Sequence, residues 1–281
     1  MSVEIALQPE LQPASTLEWQ PPSPPTDLIF DDGEPLETNR HRNAMNVLIR
    51  SLQQAWSDRQ DYFTGGNMFI YFSDKQVFNK DFRGPDFFAV LDIDGSYTRE
   101  GWVVWLENGR YPDVIVELTS SSTAVIDKTV KKALYERTFR TPDYFVYNPF
   151  DPNSLEGWHI DSNQKYQPLV PNEKGWLWSE TLGFWLGTWE GTVGRDPCIW
   201  LRFYDQAGNL VLLPEEAAQL KADEAELKAN EAELKANEAE LKANEAKQKA
   251  DEAERKVIEA KRRAERLAAR LLELGEDPSN L

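Results

Sequence analysis

The order of apolar and polar residues predicts strands and helices in the first three quarters of the chain and one long helix after them. Over residues 36–57, apolar residues recur at three- and four-residue steps, which indicates an amphipathic helix. Short apolar runs at 67–73, 86–93 and 113–118 are bounded by turn residues and predict strands. Residues 123–139 repeat the helical spacing and predict a second helix.

The strand predicted at 113–118 is followed closely by the helix at 123–139 and by another strand at 144–147. A strand, a helix and a strand in short succession indicate a crossover connection and therefore a mixed sheet. Residues 102–106 fit either a strand or a connector. Aromatic segments within 156–213 predict short strands that extend and cover the sheet, although their tryptophans could instead form a stacking surface for bases.

From Pro214 onwards, the segment Glu-Leu-Lys-Ala-Asn-Glu-Ala repeats every seven residues. Alanine or a larger apolar residue recurs at alternating steps of four and three from 218 to 274, the pattern of a coiled-coil seam. A separate stripe consists of Leu220, Leu227, Leu234 and Leu241. Glu–Lys pairs four residues apart, with the acid first, favour the helix. We expect this helix to self-associate; the alternative is an isolated, solvated helix.

These patterns predict a mixed α/β protein with a long C-terminal coiled coil. The predicted parts are an irregular proline-rich arm at 1–35, a globular domain at 36–213, the coiled-coil helix at 214–275 and a tail at 276–281. One globular domain with an appendage agrees with a length of 281 residues.

The charge of the chain limits its partners. The net charge is −17, of which residues 1–213 contribute 18 Lys and Arg against 30 Asp and Glu, or −12, and residues 214–281 contribute 13 against 18, or −5. This acidity counts against general affinity for nucleic acid, which depends on basic residues that release counterions. Contact with DNA would need a local basic patch, divalent cations or several copies of the chain.

Few residues are available for other kinds of site. Cys198 is the only cysteine, which excludes an internal disulfide and a cysteine zinc cluster, and His41 and His159 are the only histidines. No stretch approaches the ~18 consecutive apolar residues of a membrane span. The first ten residues lack the basic start and apolar stretch of a signal peptide. We therefore expect a cytoplasmic protein without membrane contact.

Two acids at strand ends are candidates for metal chemistry. Asp86 precedes one apolar run and Glu117 ends another. On adjacent strands they could share a Mg²⁺ ion, which prefers carboxylate and water oxygens and can hold a water for attack on a phosphodiester. A nearby lysine ammonium could orient that water or stabilise the phosphate. The alternative is that both acids only mark the rim of the sheet.

Four ordered motifs carry a resemblance to a known family: Gly84-Pro-Asp86, Tyr111-Pro-Asp-Val-Ile-Val-Glu-Leu-Thr-Ser-Ser-Ser-Thr123, Asp127 with Lys131 and Tyr135, and Thr141-Pro-Asp-Tyr-Phe-Val-Tyr-Asn-Pro149. Over roughly residues 25–213 they resemble the Uma-two family of putative restriction endonucleases, which is abundant in cyanobacteria and belongs to the PD-(D/E)XK nuclease superfamily. The heptad tail is also similar to members of this family. The resemblance implies a restriction-endonuclease-like core and a DNA endonuclease that depends on Mg²⁺ or Mn²⁺.

The resemblance also implies roles for particular residues. Asp86 and Glu117 match the metal-binding acids of the superfamily. The superfamily pattern has lysine two positions after the second acid, where this chain has Thr119. In the family pattern Lys131, on the following helix, supplies the ammonium instead, with Lys128 as the reserve candidate.

Further residues of the pattern are supporting candidates. Asp113 projects to the same side of its strand as Glu117, and Glu37 loosely matches a helix acid that supports the metal site in some superfamily members. Asp127 and Tyr135 are expected to orient the lysine or to pack. Thr119 and the acidic surface favour a second hypothesis, a catalytically silent nuclease-fold scaffold that is oligomerised by its coiled coil.

Overall fold

A computed structural model of the chain describes residues 28, 38–73, 76, 84–120 and 123–274. The chain forms two compact units that meet between Leu213 and Pro214. Glu37, the predicted arm at 1–35 apart from residue 28, and the predicted tail at 276–281 lie outside the described residues.

The described part of the first unit contains two long helical segments and a series of strands. Helix α1 is Asn39–Ala55, and α2 is a continuous helical segment over residues 124–139. The strands are β1 (Tyr62–Gly65), β2 (Ile70–Tyr71), β3 (Phe87–Leu91), β4 (Trp102–Val103), β5 (Val114–Leu118), β6 (Asp143–Asn148), β7 (Asp151–Ile160), β8 (Tyr166–Pro168), β9 (Leu177–Ser179), β10 (Phe184–Val193) and β11 (Asp196–Tyr204).

The main sheet is mixed, as the strand–helix–strand succession predicts. Six strands lie in the order β1-β3-β5-β6-β7-β8. β5 and β6 are parallel and α2 connects them, whereas the other neighbouring pairs are antiparallel. The crossover therefore places α2 next to the two central strands.

Side chains of the central strand alternate between two cores because successive residues of a strand point to opposite faces. Val114 and Val116 of β5 belong to a core that includes the apolar face of α1 and side chains of the separate β11-β10-β9 sheet. Ile115 belongs to a second core with the Tyr135 and Phe139 side chains of α2. Glu117 has the same parity as Ile115, so it lies on the face that α2 covers.

The aromatic segments after residue 150 have both of the predicted roles. β7 and β8 extend the main sheet, whereas β9, β10 and β11 form a three-stranded sheet that covers one face of it. Trp200 is 1% exposed, and Trp176 stacks on Tyr204 with ring centroids 3.8 Å apart. These tryptophans serve the core, which leaves them unavailable to bases.

The edge of the sheet differs from the prediction. The strand predicted at 67–73 is present only at Ile70–Tyr71, where it pairs in parallel with β4 outside the main sheet. The strand that pairs with β3 is instead β1, which runs up to the Gly65–Gly66 pair. The chain bends at Gly66 and Asn67, as a glycine pair indicates, and a tight packing contact at this strand end also requires glycine at residue 66.

The described part of the second unit contains helix α3, Pro214–Glu273, a single helix of 60 residues. None of its residues is buried. The leucines and valine of its predicted apolar stripes are largely exposed, for example Leu234 at 65% and Val257 at 67%. No helix in the part of the chain that the structure describes is long and apolar enough to cross a membrane.

Candidate active site

The two candidate acids face each other across neighbouring strands. Phe87 pairs with Val116 in the β3–β5 register, so the next step of the antiparallel ladder places Asp86 opposite Glu117. Directly opposite residues have Cβ atoms about 4.5–5.5 Å apart. The Leu118 N–H donates to Asp86 Oδ2 at 2.7 Å, which holds this carboxylate beside β5. The structure therefore brings both predicted acids together at one end of the sheet.

The backbone around Asp86 packs tightly against the end of β1. The Asn67 N–H donates to the Pro85 carbonyl at 2.8 Å. A Cβ atom on Gly66 would collide with the Asp86 carbonyl oxygen and with the side chain of Met45. Gly66 is required because only glycine permits so close an approach of two backbone segments. This contact positions the segment that carries Asp86.

Glu117 is 1% exposed, and both of its carboxylate oxygens accept hydrogen bonds from α2. The Tyr135 hydroxyl donates to Oε1 at 2.8 Å, and the Lys131 ammonium donates to Oε2 at 3.0 Å. A buried carboxylate is costly unless it is paired and hydrogen-bonded. These two donors offset that cost and orient the carboxylate at the end of β5.

The helical segment α2 presents a row of residues at four-residue steps to the sheet. Asp127, Tyr135 and Phe139 are buried, and Lys131 is partly buried. In an α-helix with 3.6 residues per turn, each four-residue step drifts by about 40°. Here Asp127–Lys131 and Tyr135–Phe139 are π-helical, and their i→i+5 hydrogen bonds widen the turn and reduce the drift. The row therefore stays on one face over three steps.

Lys131 lies between two buried carboxylates. Its Nζ atom is 3.0 Å from Glu117 Oε2 and 2.8 Å from Asp127 Oδ1. Burial acts to lower the pKa of Lys131, but the negative charges of Glu117 and Asp127 outweigh it and raise that pKa above its ordinary value. The ammonium thus remains charged and is held between Glu117 and Asp127. Asp127, which the sequence pattern predicts to orient the lysine or to pack, is thus the second partner of Lys131.

The two acids hold protons more strongly than ordinary carboxyl groups. Burial, and after it the charge of Glu117, raise the pKa of Asp86 well above its usual value. Burial also raises the pKa of Glu117, while the charge of Lys131 opposes that shift. A cation bound between the carboxylates would offset their mutual repulsion.

The donor set is compatible with a hydrated divalent cation. Within the described ranges, no group of three or more His, Cys, Asp or Glu side chains could hold a metal ion, so the candidate donors are the Asp86 and Glu117 carboxylates alone. The hydrogen bond that Asp86 accepts from the Leu118 N–H engages Oδ2. Mg²⁺ is commonly held by one or two carboxylates and keeps several waters. These two acids fit such an ion.

Thr119 occupies the position where the superfamily pattern has lysine. It is 3% exposed, and its N–H donates to the Tyr147 carbonyl at 2.7 Å on the parallel neighbour β6. A threonine at this place cannot supply a cation. The ammonium that reaches Glu117 comes from Lys131 on α2.

The supporting candidates are not brought to this cluster. Asp113 is four residues from Glu117, or about 13 Å along the strand, and it accepts the Leu91 N–H at 2.8 Å and pairs with Arg110 at 3.1 Å. The Lys128 ammonium pairs with Glu156 at 2.6 Å on an exposed side of α2. Accessory roles for Asp113 and Lys128 stay predictions without geometric support. Glu37 lies outside the described residues.

A mixed sheet with a crossover helix and an acid pair at the ends of two central strands defines a restriction-endonuclease-like α/β protein. A family model described as "Putative restriction endonuclease" (Uma2, the Uma-two family) matches residues 14–193, more than half of the chain. The chain belongs to this family. Residues 215–271 also match a model described as "Alanine-zipper, major outer membrane lipoprotein".

Other comparisons add little to this assignment. A solved structure described as a putative nuclease belonging to DUF820 from Anabaena variabilis is 13% identical, with a TM-score of 0.34. The match covers 49% of this chain and 74% of that chain. No curated protein matches the sequence significantly.

Proposed function

We propose that this protein is a metal-dependent DNA endonuclease that hydrolyses phosphodiester bonds. Asp86 and Glu117 would hold Mg²⁺ or Mn²⁺, and Lys131 would assist catalysis. The observation that carries the proposal is the convergence of Lys131 on the Glu117 carboxylate, at 3.0 Å, beside Asp86. Membership of a family described as a restriction endonuclease supports it.

Each residue of the cluster has a distinct chemical part in this proposal. A bound divalent cation neutralises phosphate charge and activates a water for in-line attack. Lys131, held in position by Asp127, would donate hydrogen bonds to the phosphate or to the attacking water as negative charge develops. The Tyr135 hydroxyl would keep the Glu117 carboxylate in its orientation. Asp127 and Tyr135 are therefore positioning residues.

The second unit would act by association. We infer that α3 forms a coiled coil between copies of the chain, because its apolar heptad positions are exposed along the whole helix. Several copies would bind DNA more firmly than one acidic chain, since binding energy at linked sites accumulates. The domain at 36–213 would then carry the nuclease chemistry, and 214–275 the assembly.

The test is a nicking assay on supercoiled plasmid at low salt with Mg²⁺ or Mn²⁺. We expect the parent chain to nick the plasmid and Glu117→Gln to lose at least about 10²-fold in rate, the scale of removing one electrostatic contributor to a transition state. Asp113→Asn is the matched control, because it removes an acid from the same face of the same strand away from the cluster. Equal rates for the parent and Glu117→Gln would refute the proposed site.

A catalytically silent scaffold with this fold is the second candidate. Two observations favour it: Thr119 replaces the usual lysine, and both oxygens of Glu117 already accept hydrogen bonds. A scaffold of this kind would bind its partner without metal. Well-folded parent chain that cleaves neither plasmid nor short DNA fragments with any divalent metal would favour this candidate.

A further inference from the structure

Helix α3 exposes an apolar seam that ends in large side chains. The seam begins at Ala218, continues as alanine through most of the helix, and then includes Val257, Leu267, Leu271 and Leu274. Val257, Leu267 and Leu274 are 67%, 58% and 66% exposed in the single chain. Burial of these side chains would be favourable because it removes apolar surface from water. We therefore expect another helix with the same heptad spacing to cover these side chains.

The charges beside this seam are sorted by side. One flank of the seam carries a lysine at every seventh position, from the residue before Ala222 to residue 256: Lys221, Lys228, Lys235, Lys242, Lys249 and Lys256. The other flank is mainly acidic and carries Glu226, Glu233, Glu240 and Glu254, with Lys247 and Lys261 as exceptions. In heptad terms, the lysines occupy g positions and the acids occupy e positions.

This sorting selects one orientation of a second copy. In a parallel pair, a g residue meets the e residue of the next heptad on the partner, so Lys221 meets Glu226, and the same match recurs at 228 and 233, 235 and 240, and 249 and 254. Two matches, 242 with 247 and 256 with 261, set lysine against lysine. In an antiparallel pair, the lysine flank would face the lysine flank, so like charges would oppose each other along that side of the helix. The mainly acidic flank would face itself, and only Lys247 and Lys261 would relieve the repulsion there.

The leucine stripe on α3 is a less suitable interface for a second copy. Leu220, Leu227, Leu234 and Leu241 lie on the opposite side of the helix from the seam. Their nearest flanks are a row of glutamates, beginning with Glu224, and a row of Asn and Asp, beginning with Asp223. Neither row carries a positive charge, so two such faces have no complementary ions to exchange.

We propose that two or more copies of this chain associate through the seam of α3 as a parallel coiled coil in register. The occupant of the seam is thus the same helix of another copy, and the lysine and glutamate flanks determine the orientation. Parallel alignment would bring the Leu213 ends of the copies together. If the nuclease function proposed above holds, this would place two acid clusters within reach of one DNA duplex, but the association itself does not depend on that function.

The orientation can be measured with spin labels on the full chain. Cys198→Ser removes the native thiol, and single cysteines at Asp223 and Asn244 occupy the same outward heptad position at the start and the middle of α3. With a rise of ~1.5 Å per residue, an antiparallel pair would separate the labels at 223 by about 60 Å, whereas those at 244 would stay close. We expect distances below about 30 Å at both sites. A long distance at 223, or monomeric protein by sedimentation, would overturn the proposal.

Charge reversal tests the interface itself. Changing Lys221, Lys228 and Lys235 to Glu should raise the dissociation constant at least about tenfold, because opposite charges become like charges in every copy. The additional changes Glu226→Lys, Glu233→Lys and Glu240→Lys should restore association. Leu227→Gln with Leu234→Gln is the control and should leave it unchanged. Association lost only in that control would place the interface on the leucine stripe and refute the proposal. Circular dichroism verifies that each variant stays helical.

Discussion

Lys131 should be worth far more to stability than its neighbour Lys128, because the two lysines pair with carboxylates of very different burial. Lys131 contacts Glu117 and Asp127, which are 1% and 2% exposed. Lys128 contacts only Glu156, which is about half exposed. Removing one partner of a buried ion pair costs about 3–5 kcal/mol, since a buried charge is left without compensation. An exposed pair contributes about 0–1 kcal/mol.

We therefore expect Lys131→Met to lower the free energy of unfolding by about 3 kcal/mol at pH 8, the lower end of that range because the lysine is partly exposed. Lys128→Met should cost less than about 1 kcal/mol. The loss in Lys131→Met should shrink towards pH 5, because the raised pKa of Glu117 lets that carboxyl take up a proton and remain neutral. Urea unfolding followed by tryptophan fluorescence measures both variants. Equal losses for the two variants would refute the pairing of Lys131 with buried carboxylates.

Two further predictions concern Asp86 and the backbone beside it. Asp86→Asn should abolish nicking and raise the melting temperature of the metal-free protein at pH 8. The folded-state pKa of Asp86 lies above its unfolded value, so the parent loses stability as the pH rises between those two values. The difference in melting temperature between the variant and the parent should therefore vanish near pH 4. A variant less stable than the parent at pH 8 would contradict the raised pKa. Gly66→Ala should cost about 1–3 kcal/mol in urea unfolding, because its Cβ atom meets the Asp86 carbonyl. Gly109→Ala is the comparison variant. Its added Cβ atom meets no neighbour, but its backbone is left-handed, so it measures the cost of backbone strain without a collision.

Much of the central fold follows from simple sequence patterns. The apolar run Val114–Leu118 between Pro112 and a polar segment is a buried strand, and the helical spacing after Thr123 gives the crossover that makes the sheet mixed. The heptads after Pro214 form one helix. These elements are predictable because a single local period, two for the strand and about 3.6 for the helices, dominates each of them.

Other features depend on contacts between distant parts of the chain. Gly65 and Gly66 indicate the bend that follows β1, but the sequence does not reveal that Gly66 packs against the Asp86 backbone, 20 residues further on. The helical spacing after Thr123 predicts an ordinary α-helix and does not reveal the π-helical turns at Asp127–Lys131 and Tyr135–Phe139. Asp113 shares its strand face with Glu117, but Arg110 and the Leu91 N–H bind it at the far end of the strand.

The central claim, that Asp86 and Glu117 form a divalent metal site, is tested most directly by Mn²⁺ binding followed by electron paramagnetic resonance. This measurement needs no DNA, so an unknown target sequence cannot obscure it. Weak binding by the acids of α3 would be common to all variants. We expect the parent and Asp113→Asn to bind one Mn²⁺ with equal affinity, and Asp86→Asn and Glu117→Gln to bind it at least about tenfold more weakly. Equal Mn²⁺ affinity in all four proteins would contradict the account.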